Sequence, residues 1–171
     1  MSAAQPQRHA LIVVMGVSGC GKSTIGASLA RANGWVFLEG DDFHPAANIA
    51  KMSSGAPLTD EDRGAWIEAV RKTVIASDAA VIVLACSALT PFVRDGLNQT
   101  GRNVCYIHLS TDRVDMAARL EARDHFMPPD LLPSQYAALS VPDDAAEFDA
   151  SAPPDVIISG ISAHLQDVLN L

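Results

Sequence analysis

Short, unbroken apolar runs alternate along the chain with stretches in which apolar residues return every three or four positions. This is the pattern of buried parallel strands separated by amphipathic helices. Ala10 to Met15 is the first run, and Ile25, Leu29 and Ala32 then recur at helical spacing from Lys22 to about Asn33, where Asn33-Gly34 supplies a stop. Trp35 to Leu38 predicts a second strand that ends in Glu39-Gly40-Asp41-Asp42. A short segment, Ala46 to Met52, follows His44-Pro45 and is broken by Ser53-Ser54-Gly55-Ala56-Pro57. Thr59 with Asp60, Glu61 and Asp62 has the composition of a helix start, and Trp66, Ile67, Val70 and Val74 carry that helix to about Ser77.

The second half repeats the alternation. Ala80 to Ala85 is a third apolar strand, ending at Cys86-Ser87. Thr90-Pro91 reads as the cap and first residue of a helix to about Asn98, and Asn103 to Leu109 as a fourth strand. Ser110-Thr111-Asp112 caps a helix to about Arg123. Asp124 to Pro133, with three prolines and no period, predicts a mobile flap within a lid of about residues 120–134. Ser134 to Leu139 resumes as helix, Pro142 to Glu147 reads as an acidic turn, and Phe148 to Ala150 as a weak fifth strand. From Ala152-Pro153-Pro154 the last helix runs on Val156, Ile157, Ile161, Leu165 and Val168. The alternation predicts an α/β fold, a three-layer α/β/α arrangement around a doubly wound parallel sheet, with an excursion over about residues 41–65.

Gly16-Val17-Ser18-Gly19-Cys20-Gly21-Lys22-Ser23 fits G-x-x-x-x-G-K-[ST] between the first strand and the first helix, where a phosphate-binding loop has to lie. Its glycines allow successive backbone N–H groups to face phosphate oxygens, and the helix that begins there, with Thr24 next in line, adds its positive end. Lys22 reaches the β- and γ-phosphates as a mobile charge, and the Ser23 hydroxyl is a Mg²⁺ ligand. The competing reading is a glycine-rich turn with a chance lysine.

Composition narrows the partners. A chain of 171 residues with 49% hydrophobic and 19% charged residues suits one globular domain, here residues 1–171. No apolar run approaches the ~18 residues of a membrane span, and the polar start predicts a cytoplasmic protein with no membrane partner. A net charge of −8 argues against nucleic acid, whose affinity rests on basic residues. The three cysteines, Cys20, Cys86 and Cys105, lack the spacing of a disulfide framework or a zinc site. Cys20, inside the loop and near Lys22, could instead be an oxidation-sensitive thiol; a small loop residue without a redox role is the competing reading.

Phosphoryl transfer needs phosphates and Mg²⁺ held and an attacking oxygen aligned. Glu39, Asp41 and Asp42 lie at a strand end beside the loop strand, so one carboxylate can act as base toward a hydroxyl and another can hold Mg²⁺ through water. A solvated acidic turn is the alternative. The run Leu38-Glu39-Gly40-Asp41-Asp42-Phe43-His44-Pro45, then Asn48, Lys51-Met52, Gly55, Pro57-Leu58, Asp60-Glu61-Asp62-Arg63 and Trp66, closely resembles the signature of the small P-loop gluconokinases. Further landmarks are Cys86-Ser87-Ala88-Leu89, Arg94-Asp95, Arg119-Leu120, Arg123, His125-Phe126 and Ser134-Gln135.

That resemblance implies transfer of the γ-phosphoryl group of ATP to the 6-hydroxyl of D-gluconate, with Mg²⁺. It implies a fold similar to shikimate and nucleoside monophosphate kinases, with sheet order 2-3-1-4-5, and suggests a homodimer. It makes Asp41 the contact for the reacting hydroxyl and Glu39 a water-mediated Mg²⁺ ligand. His44, Lys51, Arg63 and Arg94 become candidates for reading a polyol carboxylate, with Gln135 a further substrate residue; guanidinium grips a carboxylate bidentately. Each cation has a competing reading: a solvated face for Lys51, local hydrogen bonds for His44, a pair with Asp60 or Glu61 for Arg63 and with Asp95 for Arg94. Arg119 and Arg123, four apart on one helical face, would neutralise charge on the moving phosphoryl as the lid closes, or serve simply as helix-end cations.

The sequence departs from the family pattern at four places. Thr90 stands where a lysine is usual, Val93 where an aromatic is expected, Pro128-Pro129 where a basic residue is common, and Glu39 where an aspartate is common. A kinase of another sugar acid or small hydroxylated acid, shikimate-like, is therefore the alternative. A regulatory protein that binds nucleotide without catalysis is the alternative from a different class.

Overall fold

The computed structural model describes residues 9–121 and 127–169, with the side chains of residues 114, 117, 120 and 121 left aside. Among these residues five strands, β1 (Ala10–Met15), β2 (Val36–Glu39), β3 (Val81–Ala85), β4 (Asn103–Ser110) and β5 (Ala146–Asp149), form one sheet in the order β2-β3-β1-β4-β5. Every neighbouring pair is parallel. The order expected from the family resemblance is the order found.

Among the described residues seven helices cover its faces: α1 (Lys22–Asn33), α2 (Ala46–Ser53), α3 (Asp60–Ala76), α4 (Pro91–Asn98), α5 (Arg113–Glu121), α6 (Leu132–Ala138) and α7 (Pro154–Leu169). Strand β1 is buried throughout and sends alternate side chains to two cores, as a period of two requires. Ala10, Ile12 and Val14 pack with Leu29 of α1 and Ile157, Ile161 and Leu165 of α7. Leu11, Val13 and Met15 pack on the other face with Trp66, Val70 and Val74 of α3 and Leu97 of α4. The phosphate loop leaves the C-terminal end of this central strand, next to the ends of β3 and β4, where α/β sheets gather ligands.

Four local expectations are corrected. Trp35 precedes β2, and its N–H is taken by Ala30 O beyond the end of α1, so the strand shifts to Val36–Glu39. The predicted flap 124–133 is regular over its later part: Pro129–Leu131 form a 3-10 turn and α6 begins at Leu132, because Pro133 falls in a first helical turn that has no use for its N–H. Residues 124–126 lie outside the described residues. Strand β5 starts at Ala146, with Ala146 and Phe148 half-buried and Glu147 and Asp149 exposed, the one-sided pattern of an edge. Ala32, Val156 and Val168 face solvent, so the buried stripes of α1 and α7 are narrower than their apolar residues suggest.

The excursion is clipped to α3 through one residue. Asp62 closes a capping box with Thr59 at the start of α3, its carboxylate pairs with Lys51 of α2, and its carbonyl accepts from Asn48 Nδ2 at 2.9 Å. The Lys51 and Thr59 bonds hold the Asp62 carboxyl down to about 2.

Candidate active site

Gly16 opens the loop at φ +144°, and a Cβ there would collide with Leu109 O and Cys20 Sγ, so only glycine fits where the chain leaves the sheet. Its N–H bonds to Ser87 O at the end of β3. Ser18, Gly19, Gly21, Lys22, Ser23, Thr24 and Asp41 line a small concavity of about 30 Å³, the size of a phosphate cradle rather than of a whole ligand. Lys22 folds back onto Val17 O at 3.0 Å. Val17 and Cys20 are buried beneath the loop.

The carboxylates are presented by a tight turn. After Glu39 ends β2, Gly40–Phe43 form a 3-10 turn. A Cβ on Gly40 would run into Ala85 O and the Cys86 backbone, so the turn sits directly on the end of β3. Trp66 Nε1 of α3 donates to Gly40 O at 2.8 Å and fixes its height. Asp41 is thereby brought to the cradle. Glu39, Asp41 and Lys22 all act on the buried Cys86, whose thiol burial pushes up to about 12, so the three charges gather at one strand end.

A second cavity of about 160 Å³ opens beside the cradle. Ser18, Lys22 and Asp41 line both spaces. Its remaining polar wall includes His44, Arg63, Ser87, Ser134 and Gln135. Its apolar wall includes Met52, Leu58, Trp66 and Leu89. A polar pocket with an apolar floor suits a small hydroxylated acid.

The structure sorts the expected substrate cations. Arg63 lines the cavity and also pairs with Asp60 at 3.0 Å, so both readings of it coexist on a five-donor group. His44 lines it as well, stacked on Trp66 with ring centroids 4.5 Å apart. Burial is the largest influence on His44 and lowers its pKa; Asp41 opposes that, and Arg63 reinforces it. Lys51 is outside the wall, engaged with Asp62.

Arg94 is also outside the wall. Buried on α4, it donates to Ala88 O at 2.9 Å, Leu89 O at 3.2 Å and Ser140 Oγ at 2.8 Å. Ala88 holds a left-handed conformation at φ 45°, which costs free energy for a residue with a Cβ. Arg94 ties down that turn, and the turn places Ser87 and Leu89 in the cavity. The contacts of Arg94 are neither those of the expected substrate reader nor those of the competing pair with Asp95, because the guanidinium points inward to three neutral acceptors.

Thr90, standing where the family pattern has a lysine, donates to Asp60 Oδ1 at 3.3 Å, the same oxygen that holds Arg63. Its side chain does not cap α4. Gln135 lines the cavity and accepts a 2.6 Å bond from Ser18 N in the phosphate loop. A third cleft of about 400 Å³ runs from Gly21 and Thr24 past Arg119 to Ala150 and Pro153. Arg119 therefore borders the loop, while Arg123 lies outside the described residues. Cys20 is 2% exposed, which favours the reading of a small loop residue, since reactive thiols are partly exposed.

Trp66 and Ala88 both belong to the family pattern, but sequence reasoning missed the parts they play, a clamp on Gly40 O and a left-handed turn. Trp66 was legible as an apolar helix position, and its indole N–H gave the signal that it needed a polar partner. A left-handed alanine leaves no trace in the sequence.

Among the described residues no group of three or more His, Cys, Asp or Glu could hold a metal ion. Mg²⁺ in phosphoryl-transfer sites takes one or two protein oxygens and completes its shell with phosphates and water, so Ser23 in the cradle fits that ion. No helix among the described residues is long and apolar enough to cross a membrane.

A family model described as an AAA domain matches residues 11–128. The gluconokinase of Gluconobacter oxydans (strain 621H) is 43% identical over 163 residues, covering 91% of this chain and 90% of its own. The thermoresistant gluconokinase of Escherichia coli (strain K12) is 35% identical over 164 residues, covering 94% and 90%. The crystal structure of a gluconokinase from Sinorhizobium meliloti 1021 superposes with a TM-score of 0.84 at 36% identity, over 95% of each chain. With likeness of that extent in sequence and in fold, and a phosphate loop opening onto an acid-sized cavity, the chain belongs to the gluconokinase family of P-loop kinases.

Proposed function

We propose that the protein transfers the γ-phosphoryl group of ATP to the 6-hydroxyl of D-gluconate. The observation that carries this reading is that Ser18, Lys22 and Asp41 line both the phosphate cradle and the adjoining cavity. A donor phosphate and an acceptor hydroxyl placed in those two spaces meet at these three residues.

The loop N–H groups and Lys22 hold and neutralise the phosphates, and Asp41 accepts the hydroxyl proton as the oxygen attacks. Arg63, in the cavity wall, grips the acceptor carboxylate. Arg119 borders the cleft that extends from Gly21 and Thr24, and that cleft is the space we assign to the rest of the nucleotide. Ser23 would hold Mg²⁺, with Glu39 reaching it through water, and the metal would supply charge neutralisation for the phosphates.

ADP release measured with gluconate, other aldonic acids and shikimate tests the reading. Gluconate is expected to turn over at about 1–100 s⁻¹, the usual range for kinases. Background turnover with gluconate alongside clear turnover with another acid moves the acceptor assignment. ATP binding without turnover of any acid favours a regulatory protein.

A further inference from the structure

Among the groups in the cavity wall, His44 has an arrangement that carboxylate binding does not call for. Its side chain is 5% exposed, and the ring stacks on Trp66 with planes 15° apart. Trp66 is itself held through its Nε1–H by Gly40 O, on the turn that carries Asp41. The ring therefore has little freedom to swing toward a ligand.

Its two nitrogens face different partners. Nδ1 lies 3.5 Å from Asn48 Nδ2, and Nε2 lies 3.8 Å from Asp41 Oδ1. The Asn48 amide is buried and its orientation is set independently, because Nδ2 bonds to Asp62 O at 2.9 Å and a carbonyl oxygen can only accept. One N–H of Nδ2 serves Asp62, and the second faces His44 Nδ1. A nitrogen that faces a donor has to be the acceptor, which leaves the ring proton on Nε2.

We propose that Asn48 and Trp66 lock His44 as the neutral Nε2–H tautomer with that N–H turned toward the Asp41 carboxylate, making His44 a positioning residue for Asp41. The inference rests on the reading of Asp41 as the group that meets the acceptor hydroxyl. The lowered His44 pKa agrees with a neutral ring, since burial outweighs the pull of Asp41. At 3.8 Å the contact is longer than a hydrogen bond, as catalytic contacts often are before the ligands close the site. A neutral donor is the useful form: it orients the carboxylate, whereas a cation would lower the basicity on which proton acceptance depends.

Ring nitrogen NMR on the ¹⁵N-histidine-labelled full chain reads the tautomer without any acceptor. The expected result near pH 7 is a neutral His44 protonated at Nε2 in the wild type, and a loss of that single-tautomer signature in Asn48→Leu. A cationic or Nδ1-protonated ring overturns the proposal. Kinetics supply the second readout. His44→Phe keeps an aromatic stack without the N–H and should lower kcat about tenfold or more, the worth of a hydrogen bond to a charged group, with the acceptor KM within about twofold. His44→Gln, which can return an N–H to the Nε2 position, should recover most of that loss. A raised acceptor KM at unchanged kcat in His44→Phe makes His44 a substrate reader and overturns the proposal. If no acid is turned over by the wild type, the functional reading fails while the ring spectrum still decides the tautomer.

Discussion

Ser18 donates its backbone N–H to Gln135 Oε1 at 2.6 Å, joining the phosphate loop to α6 across 117 positions of sequence. The bond connects the phosphate loop to a helix that walls the adjoining cavity. Gln135→Leu should therefore raise the hydrogen-exchange rate of the Ser18 amide by about three- to tenfold, the worth of one ordinary hydrogen bond. An unchanged rate at Ser18 would show that the loop is held without α6.

Asp41 stands at the junction of the two cavities, and its replacement separates chemistry from binding. Asp41→Asn should lower kcat by about 100-fold or more, the usual range for a general base, while the ATP dissociation constant stays within about twofold. Lys22→Ala should remove transfer altogether. Equal kcat for wild type and Asp41→Asn would rule out a base role for the carboxylate.

Arg63 and Arg94 look equivalent in the sequence and divide in the structure. Arg63→Met should raise the acceptor KM about tenfold or more and leave the urea midpoint close to wild type, because its Asp60 partner is exposed. Arg94→Met should lower stability by about 2–4 kcal/mol, since it leaves Ala88 O and Leu89 O without their buried donor and frees the left-handed turn. The opposite pattern would place Arg94, and not Arg63, on the substrate.

The clip between the excursion and α3 should weaken in acid. Asp62 has a folded pKa of about 2 against an ordinary 3.8. A carboxyl lowered on folding stabilises the fold above its ordinary value and loses that contribution as pH falls through the folded one. The difference in Tm between wild type and Asp62→Asn should accordingly be full above about pH 5 and shrink from about pH 4 toward pH 2. A difference that does not change with pH would assign the effect to the capping geometry alone.

The phosphate loop, the β-α alternation and the carboxylates after β2 were all legible in the sequence. They rest on local physics: glycines where no Cβ fits, apolar runs for strands covered on both faces, and a short polar turn at a strand end. The family resemblance added the sheet order and the acceptor, which no local pattern states. The prolines of 124–133 misled because a proline's effect depends on its place in a turn, and Pro133 falls where a helix tolerates it.

Whether a cation reads a ligand or supports a wall depends on which way its side chain points after distant segments have packed. Lys51, Arg63 and Arg94 are all helix cations, yet Asp62 takes the first, the cavity receives the second, and the carbonyls of Ala88 and Leu89 take the third. The sequence alone determined that this protein binds a nucleotide phosphate beside a cluster of carboxylates, because a contiguous loop and one strand end suffice for that. Only the tertiary structure decided which cations line the cavity and which nitrogen of His44 faces Asp41, because Asp62 and Trp66 of α3 fix the Asn48 amide and the His44 ring from outside their own segment.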